Sequence, residues 1–209
     1  MEDGVTKLSL QGFREIERLA RALPSADSGF EINTAIEWQQ TVQAPADSDI
    51  FAREAIFVIC NSGMKHTVAR RIHDRVIAAL SDGASASTVF GHKGKAAAID
   101  TIWRHRADLF ARFLLVDGDY AKLDFLGALP WIGGITKFHL AKNFGVDVAK
   151  PDVHLGRLAV AEGSTVHDMC ARLARETGYR VATVDLILWF ACARGVVNSR
   201  AASPFEAFP

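Results

Sequence analysis

Apolar residues along this chain recur mostly at intervals of three and four, the mark of helices that bury one face. In "LQGFREIERLARAL", Phe13, Ile16, Ala20 and Leu23 fall on one side and charges fill the other, so a helix is predicted that stops before Pro24. "FEINTAIEWQQTVQAPA" is weaker and reads as either a short helix or an extended arm. "DSDIFAREAIFVIC" opens on capping-type residues and turns apolar on most sides, the pattern of a central buried helix. "NSGMK" (Asn61 to Lys65) interrupts it, and a following helix continues through Val68, Ile72, Val76 and Leu80. After the loop "DGASAS", a helical stretch runs from Lys93 to Val116 with room for a break.

The second half keeps the same period. "AKLDFLGAL" and "ITKFHLAKNFG" flank the turn "PWIGG", with Gly145 as the expected C-terminal stop. A short link, "VDVAK", leads to Pro151 and Asp152. Past Gly163, "STVHDMCARLARETG" places Val166, Met169, Cys170, Leu173 and Ala174 on one face. "TVDLILWFACARG" follows, with Thr183 as the expected cap and Gly195 as the stop. The tail "VVNSRAASPFEAFP" reads as an extended wrap or a frayed end. No internal repeat and no alternating strand pattern emerges, so the predicted fold is all-α.

At 209 residues the chain can form one domain or two lobes, and 49% apolar with 23% charged residues is ordinary globular composition. No window is long and apolar enough for a membrane span, and "MEDGVTKLSL" lacks the basic start and apolar run of a signal peptide, so a cytoplasmic protein without membrane contact is expected. Three widely spaced cysteines (Cys60, Cys170 and Cys192) favour neither a disulfide framework nor a zinc or iron–sulfur motif, and fit a reducing compartment. The formal net charge is zero, but residues 1–50 hold nine acidic and four basic residues, which leaves a net +5 on the remainder. "MKHTVARRIHDR" and "GHKGK", with Lys93 and Lys95, are local basic clusters. They suit either a polyanion or a solvated mixed surface.

The turn carries the most specific chemistry. In "FLGALPWIGGITKFHLAKNFG", Pro130, Gly133 and Gly134 make a tight connection anchored by Leu126, Leu129 and Ile132. The first N–H groups of the second helix are left unpaired, and glycines let an anion approach them closely. An ordinary packed helical hairpin would look alike. In "KPDVHLGRL", Asp152 follows a proline at the start of a helix, a position that suits either a capping residue or a fixed carboxylate.

Taken together, these segments resemble the helix-hairpin-helix DNA glycosylases, the superfamily of endonuclease III and 8-oxoguanine glycosylase. "LPWIGGIT" is similar to that family's Leu-Pro-Gly-hydrophobic-Gly hairpin, and "KPDVHLGRL" to its hydrophobic-Asp-x-His segment. The spacing between them agrees within a residue or two. "FGHKGKAAAID" resembles the segment that precedes the hairpin, and "FAREAIFVICNSGMKHTVARRI" the family's buried helix, interruption and following helix. The likeness spans Asp49 to Ala161.

The resemblance implies two helical lobes flanking a DNA-binding cleft, one near 50–128 and the other from 1–49 with 129–209. It implies a nucleoid-associated, monomeric enzyme acting on double-stranded DNA. Asp152 would be the catalytic carboxylate. Trp131, Ile132, Gly133, Gly134, Thr136, Lys93 and Lys95 would contact DNA. Met64 would be the wedge that fills the gap left by an extruded nucleotide, with Asn61 and His139 at the pocket. The carbonyls of Gly127, Leu129 and Ile132 would hold a structural Na+ or K+, and no other cofactor is required. His154 matches the Asp-x-His position as a structural histidine. Three departures stand out. Trp131 replaces the first hairpin glycine. Ile135 occupies the Schiff-base lysine position, so AP-lyase activity is not expected, with Lys137 two residues on and pointing elsewhere. No four-cysteine cluster follows.

The function implied is hydrolysis of the N-glycosidic bond of a damaged or modified base, leaving an abasic site. The base can be alkylated, oxidised or deaminated, or a modified phage base excised in antiviral defence. Trp103, Phe138, His139 and Trp189 could stack on a base, though aromatics at helical spacing are usually core. A non-catalytic DNA-binding module and a helical protein–protein domain are the alternatives that the residues leave open.

Overall fold

The computed structural model describes residues 7–24 and 30–208. Among these the chain forms eleven α-helices, a short 3-10 turn at Ala86–Thr88 and no strand, so the fold is all-α. None of the described helices is long and apolar enough to cross a membrane. The chain divides into two units, Gln43–Val146 and the combination of Met1–Val42 with Asp147–Pro209.

The Gln43–Val146 unit holds α3 (Ser48–Asn61), α4 (His66–Ser81), α5 (Lys93–Arg104), α6 (Arg106–Leu115), α7 (Asp119–Gly127) and α8 (Thr136–Asn143). Its centre is α3, which is apolar on nearly all sides and packs against α4, α5, α6 and α8. Asp47 starts it by accepting the Ile50 N–H at 2.7 Å. Phe51, fully buried, sits 5.6 Å from Phe113 and 5.0 Å from Phe144, ring centre to ring centre. Tilted aromatic contacts of this kind add about 0.5–1.5 kcal/mol each beyond area burial. The stretch predicted from Lys93 to Val116 breaks at His105, where Arg106 turns back to stack 4.3 Å over Trp103 and to bond Asp49.

The other unit holds α1 (Leu10–Ala22), α2 (Ile32–Thr41), α9 (Val153–Ala161), α10 (Val166–Thr177) and α11 (Val181–Ala193). Here the almost wholly apolar α11 is the central helix, wrapped by α1, α2, α9 and α10. The weak 32–41 pattern is a helix, and the five apolar positions named on α10 are all buried. The tail is no loose end within its described part. Val197, Phe205 and Phe208 join the same core, and a Cβ on Gly12 would strike the Phe208 carbonyl, so the tail backbone lies directly against α1.

Two expectations change. The unit boundaries fall at 42/43 and 146/147 rather than 49/50 and 128/129, because α8 packs on α3 and α7 and so carries 129–146 into the central unit. Thr183 is not the cap of α11. The helix starts at Val181 after Arg180, and the fully buried Thr183 donates from Oγ1 to Gln40 Oε1 at 2.7 Å, tying α11 to α2.

Candidate functional site

In the Gln43–Val146 unit, α7 and α8 are joined by residues 128–135. The decisive backbone feature is Trp131, at φ +65°, the single non-glycine residue with positive φ among those described. The left-handed region costs an L-residue about 1–2 kcal/mol, which is why glycine is the usual occupant. The side chain contributes contacts that glycine could not. The indole edge lies so close to Gly94 that a Cβ there would sit 2.7 Å from Cζ3, and the ring meets His92 edge-on at 5.1 Å. Gly94 is therefore required by the tryptophan, and the turn is docked on the first turn of α5.

Within the turn, Ile132 is buried and its N–H donates to the Leu129 carbonyl at 3.1 Å. Thr136 Oγ1 accepts the Gly133 N–H at 2.7 Å. The N–H groups of Gly134, Ile135 and Thr136 have no hydrogen-bond partner among the described residues, and Gly134 has open space where a Cβ would stand. That leaves an exposed patch of backbone donors at the start of α8, the local arrangement that favours an anion. Ile135 is 47% exposed. Lys137 lies with its stem against Gly127 and its Nζ 3.3 Å from Asp124 Oδ1, bridging α8 to α7. Of the three carbonyls named as cation ligands, that of Leu129 already accepts one hydrogen bond, and Lys137 brings a positive charge beside Gly127.

Lys95 has a different task from the one expected. It is 5% exposed, and its Nζ donates at 2.6 Å to the carbonyl of Ser62, the residue that ends α3. Burial pushes its pKa down, partly offset by Cys60, whose thiol burial pushes up to about 11. It is thus an internal strut that holds the α3–α4 turn. Lys93 is exposed with no ion pair among the described residues. In that turn Gly63 has φ +73°, the Met64 N–H donates to the Asn61 carbonyl at 3.2 Å, and both Asn61 and Met64 are half-buried. The hairpin, the start of α5 and the Asn61–Met64 turn therefore form one contiguous chain of contacts through Trp131, Gly94, Lys95 and Ser62. His139 is half-buried on α8. Trp103 is covered by Arg106, and Trp189 packs edge-on against Phe30 at 6.3 Å.

Asp152 belongs to the other unit. It caps α9, with Oδ1 accepting the N–H groups of His154 at 2.9 Å and Leu155 at 3.1 Å. The residue is half-buried, and Oδ2 has no hydrogen-bond partner among the described residues. One oxygen thus fixes the carboxylate at the positive end of a helix, and the other stays uncommitted. The approach to it is pinned to α11: Asp147 Oδ1 accepts the Ala182 N–H at 3.0 Å, and the buried Asp185 accepts the Lys150 N–H at 2.9 Å.

Behind Asp152, His154 Nδ1 and Ser199 Oγ are hydrogen-bonded at 3.0 Å. Burial pushes the Cys192 thiol up to about 12. The Asp152 charge adds to the rise, and a hydrogen bond with Ser199 partly offsets it. At neutral pH this thiol is therefore uncharged. Asp185 and Ser199 were not singled out from the sequence, and Cys192 was read there only as one of three scattered cysteines. Asp185 had a signal, as the lone charge in the apolar α11, whereas Ser199 lies in a tail with no periodicity. No cluster of three or more His, Cys, Asp or Glu residues suited to a metal occurs among the described residues.

Comparisons with protein-family models, with curated proteins and with solved structures find no match to this chain.

Proposed function

We propose that this protein is a monofunctional DNA glycosylase of the helix-hairpin-helix type, which extrudes a damaged or modified nucleotide and hydrolyses its N-glycosidic bond. The observation that carries the reading is the state of Asp152: a half-buried carboxylate, fixed through Oδ1 at a helix start, with Oδ2 uncommitted. Support from the hairpin is that Trp131 takes up the left-handed backbone at the position where the resembled motif has glycine.

In this reading the protein binds double-stranded DNA. The free N–H groups of Gly134, Ile135 and Thr136 receive a phosphate, and Lys93 adds charge. A monovalent cation held by the Gly127, Leu129 and Ile132 carbonyls would add a further positive charge beside that phosphate. The adaptable, half-buried Met64 fills the stack that the flipped nucleotide leaves. The C1′–N bond then breaks, its electron pair leaving with the base, and positive charge grows on the sugar. Asp152 stabilises that charge and accepts a proton from the attacking water, whose oxygen bonds C1′. That proton passes on to the departing base, so the products are a neutral free base and an abasic site, and Asp152 is again a carboxylate. Ile135 offers no amine and Lys137 is held by Asp124, so the strand is not nicked.

The test is a labelled-duplex assay across undamaged, alkylated, oxidised, deaminated and phage-modified DNA, read with and without hot alkali. Strand breaks that depend on alkali in at least one substrate are expected. Breaks without alkali would overturn the monofunctional assignment, and no alkali-labile sites in any of these DNAs would favour a non-catalytic DNA-binding module.

A further inference from the structure

Beside Asp152, in the same unit, is an open depression of about 720 Å3 between the outer face of α9 and the tail. Val153, Gly156, Arg157 and Val160 line one side at helical spacing, and Ser199 and Arg200 stand on the other. Three observations together define it. The guanidinium groups of Arg157 and Arg200 have no ion-pair or hydrogen-bond partner among the described residues, a state shared by Arg70, Arg71, Arg75, Arg104 and Arg175, but here two of them line one depression. Val153 and Val160 are 59% and 79% exposed, an apolar stripe with nothing over it. Gly156 lies between them with no atom within 4 Å of where its Cβ would be, so a ligand can come down to the helix backbone.

We propose that this depression is a second DNA contact, seating the phosphodiester backbone beside the extruded nucleotide. Two unpaired guanidinium groups around exposed valines and a bare backbone match a strand that alternates phosphates with apolar deoxyribose faces. Arg157 is five residues beyond Asp152, about 7.5 Å along the helix at 1.5 Å per residue. That is on the order of two nucleotide steps at 3.4 Å per step. Asp152 does not line the depression, but Val153 does, and Ser199 links the far wall to His154. Val153, next to Asp152 in the chain, lines the depression, so a strand seated there passes the start of the helix that Asp152 caps. This inference rests on the glycosylase reading for its orientation, though not for the contact itself.

The experiment measures binding of a short fluorescent duplex carrying one tetrahydrofuran abasic-site analogue, as a function of salt. Wild type is compared with Arg157→Gln, Arg200→Gln, the double Gln variant and the double Lys variant. Each phosphate contact contributes about 0.9 to the slope of log K against log salt. The double Gln variant should therefore lose about 1.8 from that slope, each single variant about half of that, and the double Lys variant little. Both side chains are unpaired, so melting temperatures should match wild type. An unchanged slope in a folded double Gln variant overturns the proposal and assigns the depression to another ligand, such as a peptide. Alkali-labile sites made by wild type would still uphold the glycosylase. No salt-dependent binding by wild type sinks both. A lowered slope without alkali-labile sites keeps the DNA contact and removes the chemistry.

Discussion

Trp131 combines an unfavourable backbone conformation with a favourable ring contact. Replacing it with glycine removes the left-handed penalty of about 1–2 kcal/mol but also removes the ring from Gly94 and His92. The two effects are separable through Gly94. In wild type, Gly94→Ala places a Cβ 2.7 Å from the indole and forces the half-exposed ring aside, which should cost about 1–3 kcal/mol and change tryptophan emission. With Trp131→Gly in place, the same alanine should be neutral or slightly stabilising, since it then sits in a helix with nothing to strike. Equal cost in both backgrounds, measured by denaturant unfolding, would show that the ring does not rest on Gly94. Sequence alone exposed the oddity of a tryptophan in a glycine position. It could not reveal the partner, because Gly94 is 37 residues away and its lack of a side chain carries no pattern.

Among the elements, the helices were legible wherever a strong period met a clear stop. Ser9, Asp47 and Thr165 cap their helices with short side-chain bonds, and Gly145, Gly163 and Gly195 all take positive φ past helix ends. Thr183 failed as a cap for a physical reason: an apolar helix can absorb an earlier start, and its threonine found Gln40 instead. The anchor at Glu17 was only half legible, since its ion pairs with Arg14 and Arg21 lie on one helix while Tyr179 comes from far along the chain. On α1, Glu17 is 6% exposed and bonds Arg14, Arg21 and Tyr179, binding α1 to the turn between α10 and α11. Burial pushes the Glu17 pKa up, but the hydrogen bonds from Tyr179, Arg14 and Arg21 outweigh it and hold the carboxyl below the ordinary 4.5. Its unfolded form therefore takes up protons first, so the stabilisation is whole above pH 4.5 and is lost as pH falls through that value and below the folded one. Glu17→Gln should cost about 1–3 kcal/mol at neutral pH, and the gap to wild type should close in acid. A gap independent of pH in urea titrations would contradict the ionic account of this anchor.

At the level of the whole molecule, the proposed work is divided between the two units. The hairpin, the basic start of α5 and the Asn61–Met64 turn belong to Gln43–Val146, while Asp152 with its supporting Asp185, His154 and Ser199 belongs to the other. The all-α class and the order of the segments were legible because they rest on local period and spacing. The unit boundary was not, because it depends on α8 packing against α3, a contact between residues far apart in the chain. The central claim is that Asp152 is a reacting group as well as a helix cap. Asparagine caps helices about as well as aspartate does, so Asp152→Asn preserves the fold while removing the charge and the proton acceptor. The decisive measurement is the single-turnover rate of free-base release by this variant, on a DNA that wild type processes, with duplex affinity measured alongside. The account predicts undiminished binding with release slowed by about 10²–10⁴-fold, whereas a folded Asp152→Asn protein that releases base at the wild-type rate would contradict it.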